Sequence, residues 1–323
     1  MSDDFRPTAS WEILRLRAGL LRRLRQFFDD RGFLEVETPI LSHDTVVDRH
    51  LDPFCVPLGG PADHGPRVGW LQTSPELAMK RLMAAGGQAI YQVSRVFRQG
   101  EQGTLHNPEF TLVEWYHAGD GLDAGMQRTG ELCEFLLGCP AAQRISYRAA
   151  FVEHVGLDPH AAPIEALKTA ARQCGSPPEG LADADRDGWL DWLITERVQP
   201  HLGIDRPALL FDYPASQAAL ATVRPDNPPV AERFELYISG IELANGYHEL
   251  LDAEELRRRS AAANVLRRGD GKPPLPEENR LLAAMAAGLP ACVGVALGFD
   301  RLVMLAAAAT SLRDVIAFPF DRA

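Results

Sequence analysis

Two alternating strand patterns flank a glycine-bearing loop: Gln88 to Phe97, and a return run of Thr111, Leu112, Val113, Glu114, Trp115 and Tyr116. That pattern commits this part of the chain to an antiparallel strand pair, with successive side chains on opposite faces. A second pair is spelled by Phe234 to Ile238, the two-residue turn Ser239-Gly240, and Ile241 to Ala244. Ala208 to Tyr213 adds another strand. Neither a GxGxxG nor a Walker A loop is present, so a doubly wound nucleotide fold is excluded. The fold class expected is α+β, a mostly antiparallel sheet flanked by helices.

The helices follow from apolar spacing. Ile13, Leu16, Leu20, Leu24 and Phe27 recur at three and four residues, predicting an amphipathic helix over Ser10 to Arg31 with Ser10 as N-cap and Gly32 as stop. Phe33 to Thr38 then alternates as a strand that Pro39 ends, and Ser42 to Gly69 reads as a loop. Further helices are expected over Leu77 to Ala85, over Ala253 to Arg268 as a charged surface helix, and over Glu277 to Ala287. Between about Asp120 and Pro207 the sequence reads as a helical insertion whose core holds Trp189, Trp192 and Ile194. The whole chain, 1–323, is expected to be one catalytic domain carrying that insertion at about 120–207.

Charge limits the partners. With a net charge of −11, the chain lacks the positive excess that phosphate backbones demand. Its basic cluster, Arg15, Arg17, Arg22, Arg23 and Arg25, sits on the first helix and reads as a solvated face. No run approaches the ~18 apolar residues of a membrane span. The five cysteines form no CxxC pair and read as reduced, buried thiols of a cytoplasmic protein.

The chemistry concentrates in Arg98 to Tyr116, RQGEQGTLHNPEFTLVEWY. Arg98 can pair bidentately with phosphate, and Phe110 can stack on a base. Glu114 and Tyr116, two apart on a strand, point the same way. A pocket for a phosphorylated nucleotide beside a cationic small molecule fits these groups.

This stretch resembles motif 2 of the class II aminoacyl-tRNA synthetases, and among them the lysyl type. RGFLEVETPIL (Arg31 to Leu41) resembles motif 1 and GVALGFDRLVML (Gly294 to Leu305) resembles motif 3, so the ordered motifs extend over about 270 residues. The resemblance implies that Arg98 and Arg301 grip the α- and γ-phosphates of ATP and are the catalytic pair. It implies ATP contacts from Gln99, Gly100, His106, Asn107, Phe110, Glu242, Leu243 and Gly298, with Glu242 also holding Mg²⁺. Ser74, Pro75, Glu76, Glu114, Tyr116, Asn245, Glu249 and Ala296 are implied around the amino acid. Glu76 stands 22 residues before Arg98, the lysyl-type interval, and Glu242, Asn245 and Glu249 keep the family's spacing of three and four. Asn245-Gly246 is read as a bend.

Three departures from the lysyl-tRNA pattern stand out. Gly100 occupies the place of the glutamate that reads the adenine amino group, with Glu101 one residue later as its replacement. Leu105 replaces a phosphate-binding arginine. Ala296 replaces a glycine, and its methyl would reshape the pocket towards a β-amino acid.

Motif 1 begins within the first forty or so residues, leaving no room upstream in this sequence for an anticodon-binding domain, so tRNA recognition is not expected. The full pattern is similar to the free-standing lysyl-type paralogues that modify elongation factor P. That resemblance implies activation of (R)-β-lysine as the adenylate, transfer to the ε-amine of a lysine on elongation factor P, and a homodimer built through motif 1. Two other readings are a lysyl-adenylate-forming ligase with a different amine acceptor, and a catalytically impaired paralogue that serves as a binding or regulatory protein, for which Gly100 is the best argument.

Overall fold

A computed structural model describes residues 5–59, 67–177 and 180–323. The chain forms two compact units, Met1–Gly119 with Leu251–Ala323, and Asp120–Leu250. Part of the 42–69 stretch lies outside the described residues.

The first unit opens with helix α1, Trp11–Asp29, whose N-terminus is capped by Ser10 accepting from the Ile13 amide. Burial of Leu20, Leu24, Phe27 and Phe28 follows from the three-and-four spacing. Strand β1, Leu34–Glu35, is shorter than the alternation predicts, although the Val36 amide donates to Tyr91 and extends the pairing by a residue. The expected loop instead contributes to a three-stranded sheet: β2 (Leu41–Ser42), β3 (Cys55–Leu58) and β4 (Arg67–Leu71), in the order β2-β4-β3. Pro57 hid β3 from the sequence pattern, yet an edge strand tolerates a proline. Helix α2, Glu76–Ala84, leads to β5, Ala89–Phe97, which pairs antiparallel with β6, Glu109–Ala118. Their register puts Tyr91 opposite Trp115 and Gln92 opposite Glu114. Phe28 of α1 stacks on Tyr91 at 4.5 Å and lies 5.4 Å from Trp115. The aromatic face of the pair therefore packs on α1, and the alternation turns Gln92, Glu114 and Tyr116 to the opposite face.

The second unit contains α3 (Leu122–Leu137), β7 (Gln143–Ser146), α4 (Tyr147–Val155), α5 (Ile164–Arg172) and α6 (Arg186–Leu193). Its strands β8 (Ala208–Pro214), β9 (Val223–Arg224), β10 (Val230–Ile238) and β11 (Ile241–His248) follow, with β7 parallel to β8 and the other pairs antiparallel. Tyr147, Phe151, Trp189, Leu190 and Ile194 are buried in one core, with Trp192 packed against it. The β10–β11 turn is the expected two-residue one: Ser239 (φ 52°) and Gly240 (φ 73°) both take positive φ, as a type I′ hairpin requires.

The chain then returns to the first unit through α7 (Ala253–Gly269), α8 (Arg280–Gly288), β12 (Cys292–Gly298) and α9 (Phe299–Ala306). Strand β12 pairs antiparallel with β6, and β1 runs parallel to β5. Helix α7 is not simply a surface helix: Arg267 is buried, paired with Asp52 at 2.9 Å and donating to the carbonyls of Asp48, Leu51 and Pro273. Helix α8 starts three residues later than the apolar spacing suggests, because the Asn279 side chain caps the Leu281 and Leu282 amides. The cysteines are free; Cys133 and Cys292 are buried as expected, Cys139 and Cys174 are only half-buried, and Cys55 on edge strand β3 is exposed. Among the described residues no helix is long and apolar enough to cross a membrane.

Candidate active site

The face of the first unit turned away from α1 carries an acidic cluster. Ser74, just before α2, donates from Oγ to Glu114 Oε1 at 2.6 Å and accepts from the Glu76 amide at 3.0 Å. Tyr116 donates its hydroxyl to Glu114 Oε2 at 3.1 Å. Pro75 sits at the N-cap position of α2 and Glu76 begins the helix. Glu114 is 1% exposed, and its carboxyl is pushed up to about 7, first by burial and next by the negative charge of Glu76. The Ser74 and Tyr116 hydroxyls and the Lys80 ammonium pull the other way without reversing the shift.

Lys80, one helical turn beyond Glu76, places Nζ 2.5 Å from Glu76 Oε1 and is itself buried. Sequence reading passed over it, although a Glu-to-Lys i,i+4 pair is a recognisable helix signal. On the sheet, Glu114 lies between Gln92 of β5 and Ala296 of β12, each directly across from it. Ala296 is thus a neighbour of the buried carboxyl, and Gly294 and Gly298 stand opposite Tyr116 and Leu112. Small side chains on β12 leave space over this face.

A second group in the same unit is cationic. Arg98, at the end of β5, donates from Nε to the Thr73 carbonyl at 3.3 Å, approaches Glu101 at 3.6 Å, and lies 5.0 Å from the centre of the Phe110 ring. Glu101 faces Arg98, and Gly100 has φ 83°, a conformation unfavourable to a residue with a side chain. Gln99 is fixed by its amide donating to the Asp52 carbonyl at 2.7 Å. Arg301, in the first turn of α9, reaches the Leu105 carbonyl at 3.4 Å and His106 Nε2 at 2.9 Å. The His106 imidazole is held below its usual range by burial and by the Arg301 charge, so it stays neutral and can accept from that guanidinium. Asn107 spends its amide on the backbone: Nδ2 donates to the Glu109 carbonyl and Oδ1 accepts from the Phe320 amide. His106 and Asn107 line a cleft of about 250 Å³ with Gly103, Thr104, Ser311 and Arg313.

Asp300 beside Arg301 is the anchor of this group. It takes Arg17 of α1 at 2.6 Å and the Thr111 amide at 2.8 Å, and Arg17 also donates to Thr111 Oγ1 and lies over the Phe299 ring. Arg17 therefore leaves the basic face that the sequence reads as solvated. Its partner is nearly three hundred residues away, where helical periodicity carries no information.

In the second unit the expected bend at Asn245-Gly246 is absent. Both residues lie within β11, across from Glu235 and Phe234 of β10, and a Cβ on Gly246 would stand 2.3 Å from the Phe234 ring. The glycine is there for close approach. The irregularity lies two residues earlier: Ala244 pairs with Leu236 and Glu242 with Tyr237, so Leu243 is an extra, buried residue. A bulge of one residue changes the parity of a strand. Glu242 and Asn245, three apart, consequently share the face that carries Glu235 and Tyr237. Glu235, missed in the sequence, is the hub there: it accepts from Tyr213 at 2.6 Å, Tyr237 at 2.5 Å, Arg233 at 2.5 Å and Asn245 Nδ2 at 3.4 Å. Glu249 is buried just beyond β11, bridged to Ala221, with Thr222 Oγ1 on its carbonyl. Among the described residues no group of three or more His, Cys, Asp or Glu side chains is gathered as a metal cage.

An antiparallel core with an arginine leaving β5, a second arginine at the start of α9 and a buried carboxyl cluster on the same unit defines a class of enzyme. The family of class II tRNA synthetases for Asp, Lys and Asn (D, K and N) matches residues 3–322, and the chain belongs to that family. Within it, the chain is 45% identical over 320 residues to the elongation factor P–(R)-β-lysine ligase of Vibrio vulnificus (strain YJ016), covering 99% of each chain. The ligases of the same name from Salmonella typhi and Yersinia enterocolitica are 46% and 45% identical over 320 residues, each covering 99% of this chain and 98% of the relative.

Proposed function

We propose that this chain activates (R)-β-lysine with ATP as the aminoacyl adenylate and transfers the acyl group to the ε-amine of a lysine on elongation factor P. Relatives of near-identical length that carry this activity in their names support the reading. The observation that carries it is the Ser74–Glu76–Glu114–Tyr116 cluster. A carboxyl pushed up to about 7, first by burial and next by a neighbouring glutamate, is only partly offset by the Lys80 ammonium, and a diammonium substrate supplies further positive charge.

In the first step the substrate carboxylate attacks the α-phosphorus and pyrophosphate leaves. Arg98 and Arg301 act on the α- and γ-phosphates, where a planar guanidinium offers paired donors. Phe110 stacks on the adenine, and His106, Asn107, Gln99, Gly100, Leu243 and Gly298 shape the rest of the nucleotide site. No protein nucleophile is needed, because alignment and charge stabilisation account for the rate. Glu242, which shares its face of β11 with Asn245, would be the carboxylate that holds Mg²⁺, a hard cation that takes oxygen ligands. When bound, the ion neutralises charge on the phosphates. Asn245, Glu249 and Ala296 complete the amino-acid contacts on this reading. In the second step the lysine ε-amine of the acceptor attacks the acyl carbon and AMP leaves.

On the same reading the whole chain serves one catalytic domain with 120–207 inserted, works in the cytoplasm and does not require tRNA. A homodimer is supported by motif 1, where Leu34, Ile40 and Leu41 are exposed apolar groups that a second copy would cover. ATP–pyrophosphate exchange tests the first step. Exchange that depends on (R)-β-lysine and Mg²⁺ is expected; absence of exchange with either β- or α-lysine would favour the impaired paralogue.

A further inference from the structure

Gln92 is a polar group on the pocket face that nothing above employs. It is 3% exposed, and its Oε1 is buried without a hydrogen-bond partner among the described residues. A buried amide oxygen left unpaired is destabilising, so its survival in the folded protein needs a reason. Its position supplies one. Gln92 lies directly across β5–β6 from Glu114, in the closest side-chain relation that two strands offer. Two residues along the same face, Ser94 Oγ is also buried and unpartnered, and Thr73 Oγ1, next to Ser74, is a third. Glu114 itself has both oxygens occupied by the Ser74 and Tyr116 hydroxyls, and Glu76 holds Lys80. Beside them, Gln92 Oε1 is an acceptor with no partner among the described residues.

We infer that Gln92 is a specificity-determining residue of this pocket, its amide oxygen accepting a hydrogen bond from an ammonium group of the bound amino acid. The inference rests on the functional reading of the pocket given above. An amide does here what a carboxylate could not. It offers a strong acceptor to an N–H⁺ donor without adding a third negative charge beside Glu76 and Glu114, which already repel each other. It therefore helps to select a cationic amino acid while keeping the empty pocket tolerable.

The test is calorimetric titration of (R)-β-lysine and, separately, of ATP into wild-type protein and the variants Gln92→Met and Gln92→Glu. Removing an acceptor for a charged donor should weaken (R)-β-lysine by about tenfold or more, while ATP affinity holds and the thermal midpoint does not fall. Gln92→Glu keeps the acceptor but sets a second carboxyl against Glu114. Its affinity should approach wild type at pH 8 and fall with acidification more steeply than wild type, which keeps the inference testable if the methionine variant does not fold. Equal (R)-β-lysine affinity in wild type and Gln92→Met, equal losses for both ligands, or a Gln92→Glu pH profile parallel to wild type would each overturn it. Binding without pyrophosphate exchange would sink the proposed activity and leave the Gln92 inference standing. A wild type that fails to bind the amino acid would end both.

Discussion

Glu114 should make substrate binding pH-dependent, with a size that follows from its surroundings. Its carboxyl sits at about 7 instead of the ordinary 4.5 because burial and Glu76 disfavour the charged form. In the unliganded protein this raised value is a stability term of about 3 kcal/mol. The term is fully present below the unfolded value, near 4.5, and is lost as the pH rises through 7. A bound ammonium reverses the preference, since it favours the carboxylate, so binding must expel the proton. At pH 7 about half a proton is released, and at pH 6 about 0.9. If the bound form ionises well below pH 5, the dissociation constant rises about 30-fold between pH 8 and pH 5.5, levelling off above 7. The ligand's side-chain amine, near 10.4 in lysine, stays protonated across that window and adds nothing to the slope. Calorimetry in two buffers of different ionisation enthalpy reads the proton count directly. Glu114→Gln should bind weakly and with no pH dependence over this range. Flat wild-type affinity from pH 5.5 to 8, or an unchanged slope in Glu114→Gln, would refute the argument.

Further consequences concern the arginines and the close contacts. Arg301→Lys replaces a planar fork with a point charge and should lower pyrophosphate exchange by about 10²–10³-fold with the circular dichroism spectrum unchanged. Arg17→Met leaves Asp300 buried without its cation, and should cost about 3 kcal/mol by urea unfolding; a loss under about 1 kcal/mol would mean that the pair is not a real anchor. Gly246→Ala forces a methyl into the Phe234 ring and should destabilise the protein by about 1–3 kcal/mol in the same assay. Ala296→Gly opens space beside Glu114, and the ratio of exchange with β-lysine to that with α-lysine should fall; an unchanged ratio would remove Ala296 from substrate selection.

Local patterns carried much of this site. The pairing of Glu114 and Tyr116 follows from a period of two, the Ser239-Gly240 turn from its residue types, and the start of α1 from Ser10. What the sequence concealed was long-range or depended on one irregular residue. Glu242 and Asn245, three apart on a strand, would lie on opposite faces but for the bulge at Leu243, and no local pattern announces a bulge in a partner-dependent register. Arg17 and Arg267 look like solvated helix charges until Asp300 and Asp52 are brought to them from distant segments. Gln92 reads as an ordinary strand residue, since only the register with β6 places it across from Glu114.

The most direct test of the proposed reaction is the intact mass of elongation factor P after incubation with the protein, ATP, Mg²⁺ and either (R)-β-lysine or α-lysine. A gain of one lysyl unit, faster with the β isomer and absent without ATP, is the expected result. An unchanged mass with both isomers, from protein that still supports pyrophosphate exchange, would contradict elongation factor P as the acceptor and point to another amine.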